Sequence, residues 1–184
     1  MQAITEQSVV AVIDVQGKLA TLMQNASELS SNIETLVEAS SLLSIPALWV
    51  EQVPQKLGAT ISAITHKINT LYPDIKPIEK NSFSAMGCNE FKQTLSSLKR
   101  KQVILVGIES HICVYQTARD LVAEGYEVFS VIDGISSRTT QNYQLGLSKM
   151  ERLGVTLTSV EMLVFEWQKI AEGERFSKIT RLFR

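Results

Sequence analysis

Short, continuous apolar runs recur along the chain, each closed by a polar residue and separated by stretches with helical spacing. Val9-Val10-Ala11-Val12-Ile13 is the first and ends at Asp14; Ala47-Leu48-Trp49-Val50 is the second, preceded by Pro46 and ended by Glu51-Gln52. Ile78 to Lys80, Val103 to Ile108, Glu127 to Ile132 and Val155 to Leu157 complete the predicted strands, the fifth closing at Asp133-Gly134. Runs of this length, apolar at successive positions, are what strands buried on both faces require. Between them, Glu28 to Leu43 places Leu29, Ile33, Leu36, Val37 and Leu43 near helical spacing. Pro54 to Tyr72 is mixed, part loop and part helix, and Asn89 to Leu98 is a helix. A further helix opens at Cys113, carries Ile112, Tyr115, Leu121 and Val122 on one side, and stops at Gly125. Thr140 to Leu153 is helical with Gly154 at its C′ position, and Thr158-Ser159-Val160-Glu161 has the capping-box spacing that starts a last helix. The alternation predicts an α/β fold in three layers, α/β/α, around a mostly parallel sheet of about six strands.

In such a sheet ligands bind beyond the carboxyl ends of the strands. Asp14, Glu51, Lys80 and Cys113 all fall at or just past predicted strand ends, which gathers polar and reactive groups on one rim. Cys113 stands at a helix start, where unpaired N–H groups and the positive end of the helix dipole favour a thiolate and offer donors to an oxyanion. This is the pattern of a cysteine nucleophile. Each residue also has a plainer reading. Cys113 fits as a small buried hydrophobe, Asp14 as a turn cap and Lys80 as a solvated loop lysine.

Composition narrows the partners. The chain has 184 residues, 45% apolar and 20% charged, with eighteen basic and nineteen acidic side chains for a net charge of −1. One domain spanning residues 1–184 is the expectation at this length. The charge balance gives no reason to propose nucleic acid as a partner, and no apolar run approaches the roughly 18 residues of a membrane span. Two cysteines, Cys88 and Cys113, imply no disulfide framework, and the first residues lack a secretory pattern, so a reducing cytoplasm is expected. Neither a G-x-G-x-x-G after a strand nor a phosphate-binding P-loop motif occurs.

Several pieces in order carry a resemblance: Val12-Ile13-Asp14-Val15-Gln16, Glu79-Lys80-Asn81-Ser82-Phe83-Ser84, Gly107-Ile108-Glu109-Ser110-His111-Ile112-Cys113-Val114, and Asp133-Gly134-Ile135-Ser136-Ser137-Arg138. With Thr117-Ala118-Arg119-Asp120-Leu121 and Gly125-Tyr126-Glu127-Val128 between the last two, the chain resembles the isochorismatase-like cysteine hydrolases over nearly its whole length. Gln52 to Thr60 and the tail from Phe176 to Ile179 look closest to the isochorismatase domain-containing proteins.

The resemblance implies a Rossmann-like topology and a catalytic set of Asp14, Lys80 and Cys113. Asp14 takes the thiol proton, Lys80 orients the pair, and Cys113 attacks an amide-like carbonyl to form a thioester. Backbone N–H groups of Glu109 and Cys113 hold the oxyanion, each such donor being worth roughly 3 kcal/mol. A cis peptide between Ile108 and Glu109 belongs to the same pattern. Glu51, Gln52 and Phe83 are candidate substrate contacts, with loop polarity and packing as their plainer reading. His111, two residues before the nucleophile, is read as structural or pocket-lining. Nicotinamidases of this superfamily carry an Asp-x-His metal pair after the second strand. Here Val50-Glu51-Gln52-Val53-Pro54 stands in its place, and the only histidines are His66 and His111, so neither metal nor other cofactor is expected. The resemblance further implies a small-molecule substrate and a homo-oligomer. Two other functions stay open: vinyl-ether hydrolysis through Asp14 without need of the cysteine, and a binding role that keeps the fold.

Overall fold

The computed structural model describes residues 1–184. Six parallel strands form one sheet: β1 (Ser8–Ile13), β2 (Ala47–Gln52), β3 (Ile78–Lys80), β4 (Gln102–Ile108), β5 (Glu127–Ser136) and β6 (Thr156–Thr158). Their order across the sheet is β3-β2-β1-β4-β5-β6. The chain therefore builds outward from β1 in one direction, returns, and builds outward in the other, leaving a topological switch between β1 and β4.

Every residue of β1, β2 and β4 is buried, which is why those segments read as unbroken apolar runs. Alternate side chains feed opposite layers. Val10, Val12, Ile104 and Val106 pack with Leu29, Ile33, Leu36, Ile64, Leu163 and Trp167, while Val9, Ala11, Ile13, Val103 and Leu105 pack with Phe91, Leu95, Val114, Leu121 and Met150. The first layer comprises α2 (Ala26–Leu42), α4 (Ser62–Leu71), α8 (Val160–Gln168) and α9 (Gly173–Arg181), and the second comprises α5 (Asn89–Ser97), α6 (Tyr115–Ala123) and α7 (Thr140–Arg152). Two short helices, α1 (Gly17–Thr21) and α3 (Pro54–Leu57), lie in the loops after β1 and β2.

Three local expectations change. Strand β5 continues past Asp133-Gly134 to Ser136, because five steps along it, from Ser130 to Ile135, oppose two along β4, from Leu105 to Gly107. This bulge turns Ile132 outward and brings Ser136 level with Ile108. The last helix is capped by Ser159, whose Oγ accepts from Met162 N, rather than by Thr158. It then breaks at Lys169, with φ of 62°, and α9 follows as a separate helix. Finally, the segment opened by Cys113 does not begin as α-helix. Ser110–Val114 form a turn of π-helix, with Val114 N–H reaching Glu109 O at 3.2 Å, and α6 starts at Tyr115. Such turns concentrate at functional sites.

Candidate active site

The switch between β1 and β4 is where the candidate groups meet. Asp14 N–H still bonds Val50 O of β2 at 3.1 Å, but the backbone then turns left-handed, with φ of 53° at Asp14 itself. An aspartate in that region is uncommon and held by its surroundings. Lys80 ends the edge strand β3, paired in register with Gln52. Its ammonium lies 2.7 Å from Asp14 Oδ2 and donates also to Gln52 Oε1 (2.6 Å), Phe83 O (3.0 Å) and Ser82 O (3.1 Å). The Asp14 and Lys80 side chains are 3% and 0% exposed, so the pair is held in a medium of low polarity. Four acceptors around three protons leave Lys80 nothing to offer a substrate. Its task is to anchor Asp14 and the Ser82-Phe83 turn.

Asp14 Oδ1 is buried with no hydrogen-bond partner of good geometry. The Cys113 thiol acts on the same carboxylate. Burial lifts the Asp14 carboxyl above its usual range, against the pull of Lys80. Cys113 is 8% exposed, and burial first, the Asp14 charge second, push its thiol up to about 12. This runs against the expectation of a resting thiolate: at this position burial outweighs the pull of Lys80. Burial and the Asp14 charge both favour the neutral thiol, and one oxygen of the neighbouring carboxyl, Oδ1, is left without a partner. The peptide between Ile108 and Glu109 is cis, as the resemblance implies.

A model of the isochorismatase domain matches residues 8–162. The chain belongs to the isochorismatase domain family. It is 34% identical to the "secreted isochorismatase effector Isc1" of Phytophthora sojae over 98% of this chain and 86% of that protein. With isochorismatase domain-containing protein 2 of Danio rerio it shares 33% identity, over 97% and 87%. Among solved structures, the MAR1 ribonuclease of Caenorhabditis elegans superposes with a TM-score of 0.91 at 31% identity, covering 99% of this chain and 92% of that one. The octameric YcaC gene product of Escherichia coli, described as a hydrolase of unknown specificity, superposes at 0.92 with 18% identity, over 100% and 89%. The three-layer fold around a six-stranded parallel sheet is that of the isochorismatase-like proteins.

Within this isochorismatase domain, the remaining predicted residues divide. Gln52 is a positioning group: Oε1 takes the Lys80 bond and Nε2 donates to Asn81 O at 3.1 Å. Glu51 is engaged by Thr60: its Oε1 accepts from Thr60 N and Oγ1, both at 2.7 Å, and Thr60 Oγ1 accepts from Trp49 Nε1. Phe83 is 55% exposed above the Lys80 anchor and remains free to meet a ligand. The Glu109 side chain is occupied by Arg138, whose Nε lies 3.1 Å from Oε1. His111 Nδ1 sits 3.0 Å from Ser137 Oγ, a structural partner. No three His, Cys, Asp or Glu side chains converge as metal ligands, and no helix is long and apolar enough to cross a membrane. A cleft of about 340 Å³, lined by Gln24, Glu28, Asp133, Ser136 and Tyr143 among others, does not include Asp14, Lys80 or Cys113.

Three contributors escape sequence reasoning. Gln16, wholly buried, donates from Nε2 to Gln52 O (3.1 Å) and Gly58 O (2.6 Å) and accepts from Gln52 N (2.6 Å), locking the loop after β2 to the loop after β1. Gly107, with φ of 121°, brings β4 so close to β1 that a Cβ would stand 2.0 Å from Ile13 O. Gly146, inside α7, lets that helix rest on the turn that leads to Cys113; a Cβ would stand 2.8 Å from Ser110 C. A glycine inside a helix costs about 1 kcal/mol relative to alanine, and it is the one signal of this contact in the sequence.

Proposed function

We propose that this protein is a metal-independent cysteine hydrolase that cleaves a C–N bond of a small amide-like substrate. The observation that carries the reading is the buried Asp14–Lys80 pair, one oxygen of which is unpartnered, beside the Cys113 thiol on which Asp14 acts. As Cys113 sulfur bonds the substrate carbon, its proton passes to Asp14 and the carbonyl oxygen gains the electron pair. N–H groups of Glu109 and Cys113 receive that oxyanion. Collapse expels the amine, which leaves with the proton from Asp14, and a thioester remains. Asp14 then draws a proton from water, the hydroxide attacks the thioester, and the acid departs as the thiol is restored.

A neutral resting thiol suits this sequence, because the proton leaves as the bond forms and no thiolate accumulates to be oxidised. Glu51 and Gln52, at the position of the nicotinamidase metal pair, are committed to Thr60 and Lys80, which supports chemistry without a metal. Residues 1–184 act as one catalytic domain in this reading, with Phe83 the substrate contact at the rim. The octameric state named for YcaC supports self-association, and two free cysteines suit a reducing cytoplasm.

The raised Asp14 carboxyl also favours a second reading, in which protonated Asp14 protonates a vinyl ether and Cys113 is dispensable. Hydrolysis of an amide and vinyl-ether panel by wild type and Cys113→Ala separates the two. Loss of all turnover, with an acyl adduct at Cys113 in the wild type by intact mass, supports the thioester route. Turnover that survives in Cys113→Ala overturns it.

A further inference from the structure

The nucleophile turn is gripped from outside the catalytic set by the end of β5. Ser136 Oγ donates to Gln24 O at 2.8 Å, and Gln24 N–H returns a bond to Ser137 O at 3.0 Å. Arg138 gives its backbone N–H (3.2 Å) and Nε (3.1 Å) to Glu109 Oε1. Between them Ser137, wholly buried, holds its hydroxyl 2.7 Å from Ser110 Oγ and 3.0 Å from His111 Nδ1. Ser110 and His111 lie between Glu109 and Cys113, the two residues whose N–H groups the proposed mechanism uses. Gly146 of α7 presses on the same pair, with room for no Cβ against Ser110 C or His111 N.

The hydroxyl chemistry fits a clamp. Ser137 has one proton and two lone pairs, so it donates to His111 Nδ1 while accepting from Ser110, or donates to Ser110 while accepting from His111. Both bonds persist whichever tautomer the imidazole adopts, and neither consumes a group that the reaction needs.

We propose that Ser137 is a positioning residue for the oxyanion-binding turn, fixing Ser110 and His111 and through them the N–H groups of Glu109 and Cys113. The proposal rests on the cysteine hydrolase reading. Its consequence is selective: Ser137 matters for reactions of Cys113 that build an oxyanion and not for those that do not. Acylation by p-nitrophenyl acetate builds one; the S–C bond forms, the thiol proton goes to Asp14 and p-nitrophenolate leaves. Alkylation by iodoacetamide builds none; the S–C bond forms as the C–I bond breaks, the thiol proton leaves to solvent, and iodide departs.

Both rates are measured on the folded full chain, with adducts located at Cys113 by peptide mass. In Ser137→Ala, acylation falls tenfold or more while alkylation stays within about twofold, since a misplaced donor costs on the order of 10–100-fold. Ser137→Thr, which keeps the hydroxyl, restores acylation. Gly146→Ala, which displaces the turn from the α7 side, gives the same selective loss and carries the comparison if Ser137→Ala does not fold. Equal losses in both reactions, or loss in neither while wild type acylates, overturn the clamp alone. A wild-type Cys113 that alkylates but never acylates overturns the hydrolase reading and the clamp with it.

Discussion

Replacing Asp14 by Asn should make Cys113 more reactive toward iodoacetamide while destroying hydrolysis. The thiol sits at about 12 against an ordinary 9.0, so at pH 8 only about one thiol in ten thousand is ionised. Burial accounts for the largest part of that rise and the Asp14 charge for the next. Two unit charges about 4 Å apart at an effective dielectric near 20 interact by about 4 kcal/mol, an upper bound on the Asp14 share. A share of one third of that, about 1.4 kcal/mol, raises the thiolate fraction about tenfold when Asp14 becomes neutral. The more acidic thiolate is also a weaker nucleophile, and a Brønsted slope of about 0.4–0.5 returns part of the gain. The net expectation is alkylation about three- to fourfold faster in Asp14→Asn at pH 8, read by timed quenching and peptide mass. Hydrolysis, in which the proposed route has Asp14 carry the proton, falls by two orders of magnitude or more. If alkylation instead slows tenfold, the resting site is a thiolate stabilised by a protonated Asp14, and the neutral-thiol reasoning is refuted.

Lys80→Met leaves the Asp14 carboxylate buried without its partner, a loss of about 3–5 kcal/mol at neutral pH. Because the folded carboxyl is then held still further above its unfolded value near 4, the protonated form contributes stability that is full at low pH and lost as pH rises through the folded pKa. Melting of this variant should lie closer to wild type at pH 5 than at pH 8, and the opposite order would contradict the burial-driven shift. Gln16→Glu places an acceptor against Gln52 O and Gly58 O, costing about 3 kcal/mol; a melting temperature about 6–12 °C lower is expected, and a change under about 2 °C would dismiss the Gln16 bracket. Gly107→Ala drives a methyl against Ile13 O in a left-handed backbone, so loss of about 3 kcal/mol or more is expected by denaturant titration. A variant as stable as wild type would show that β1 and β4 have slack at the switch.

The strands were legible because burial on both faces writes itself into an unbroken apolar run, as at Val9–Ile13 and Val103–Ile108. The end of β5 was not, because its bulge replaces apolar alternation with Ile132-Asp133-Gly134, a stretch that reads as a turn. Asp14, Lys80 and Cys113 could be gathered on one rim because strand ends in a parallel sheet share a rim whatever their neighbours. Glu51 occupies the same kind of position but its carboxylate is spent on Thr60, and nothing local separates the two outcomes. The helix start at Cys113 suggested an acidic thiol; how deeply the sulfur is buried is a tertiary quantity, and it reverses the sign. Ser137 and Gln16 act through partners about 26 and 36 residues away, distances over which one sequence carries no pairing information.

The bracket around the loop after β2 has a meaning for how members of this family diversify. Gln16 and Glu51 hold its two ends through backbone atoms and Thr60, while Gln55, Lys56 and Leu57 project outward, their one side-chain tie an exposed bond from Gln55 to Glu79. The exposed side chains of this segment can therefore be exchanged without touching the Lys80–Asp14 anchor, while its backbone stays bound to Gly17 and to Lys80 O. A designer altering this surface would vary those few side chains first and leave the rim of the sheet alone.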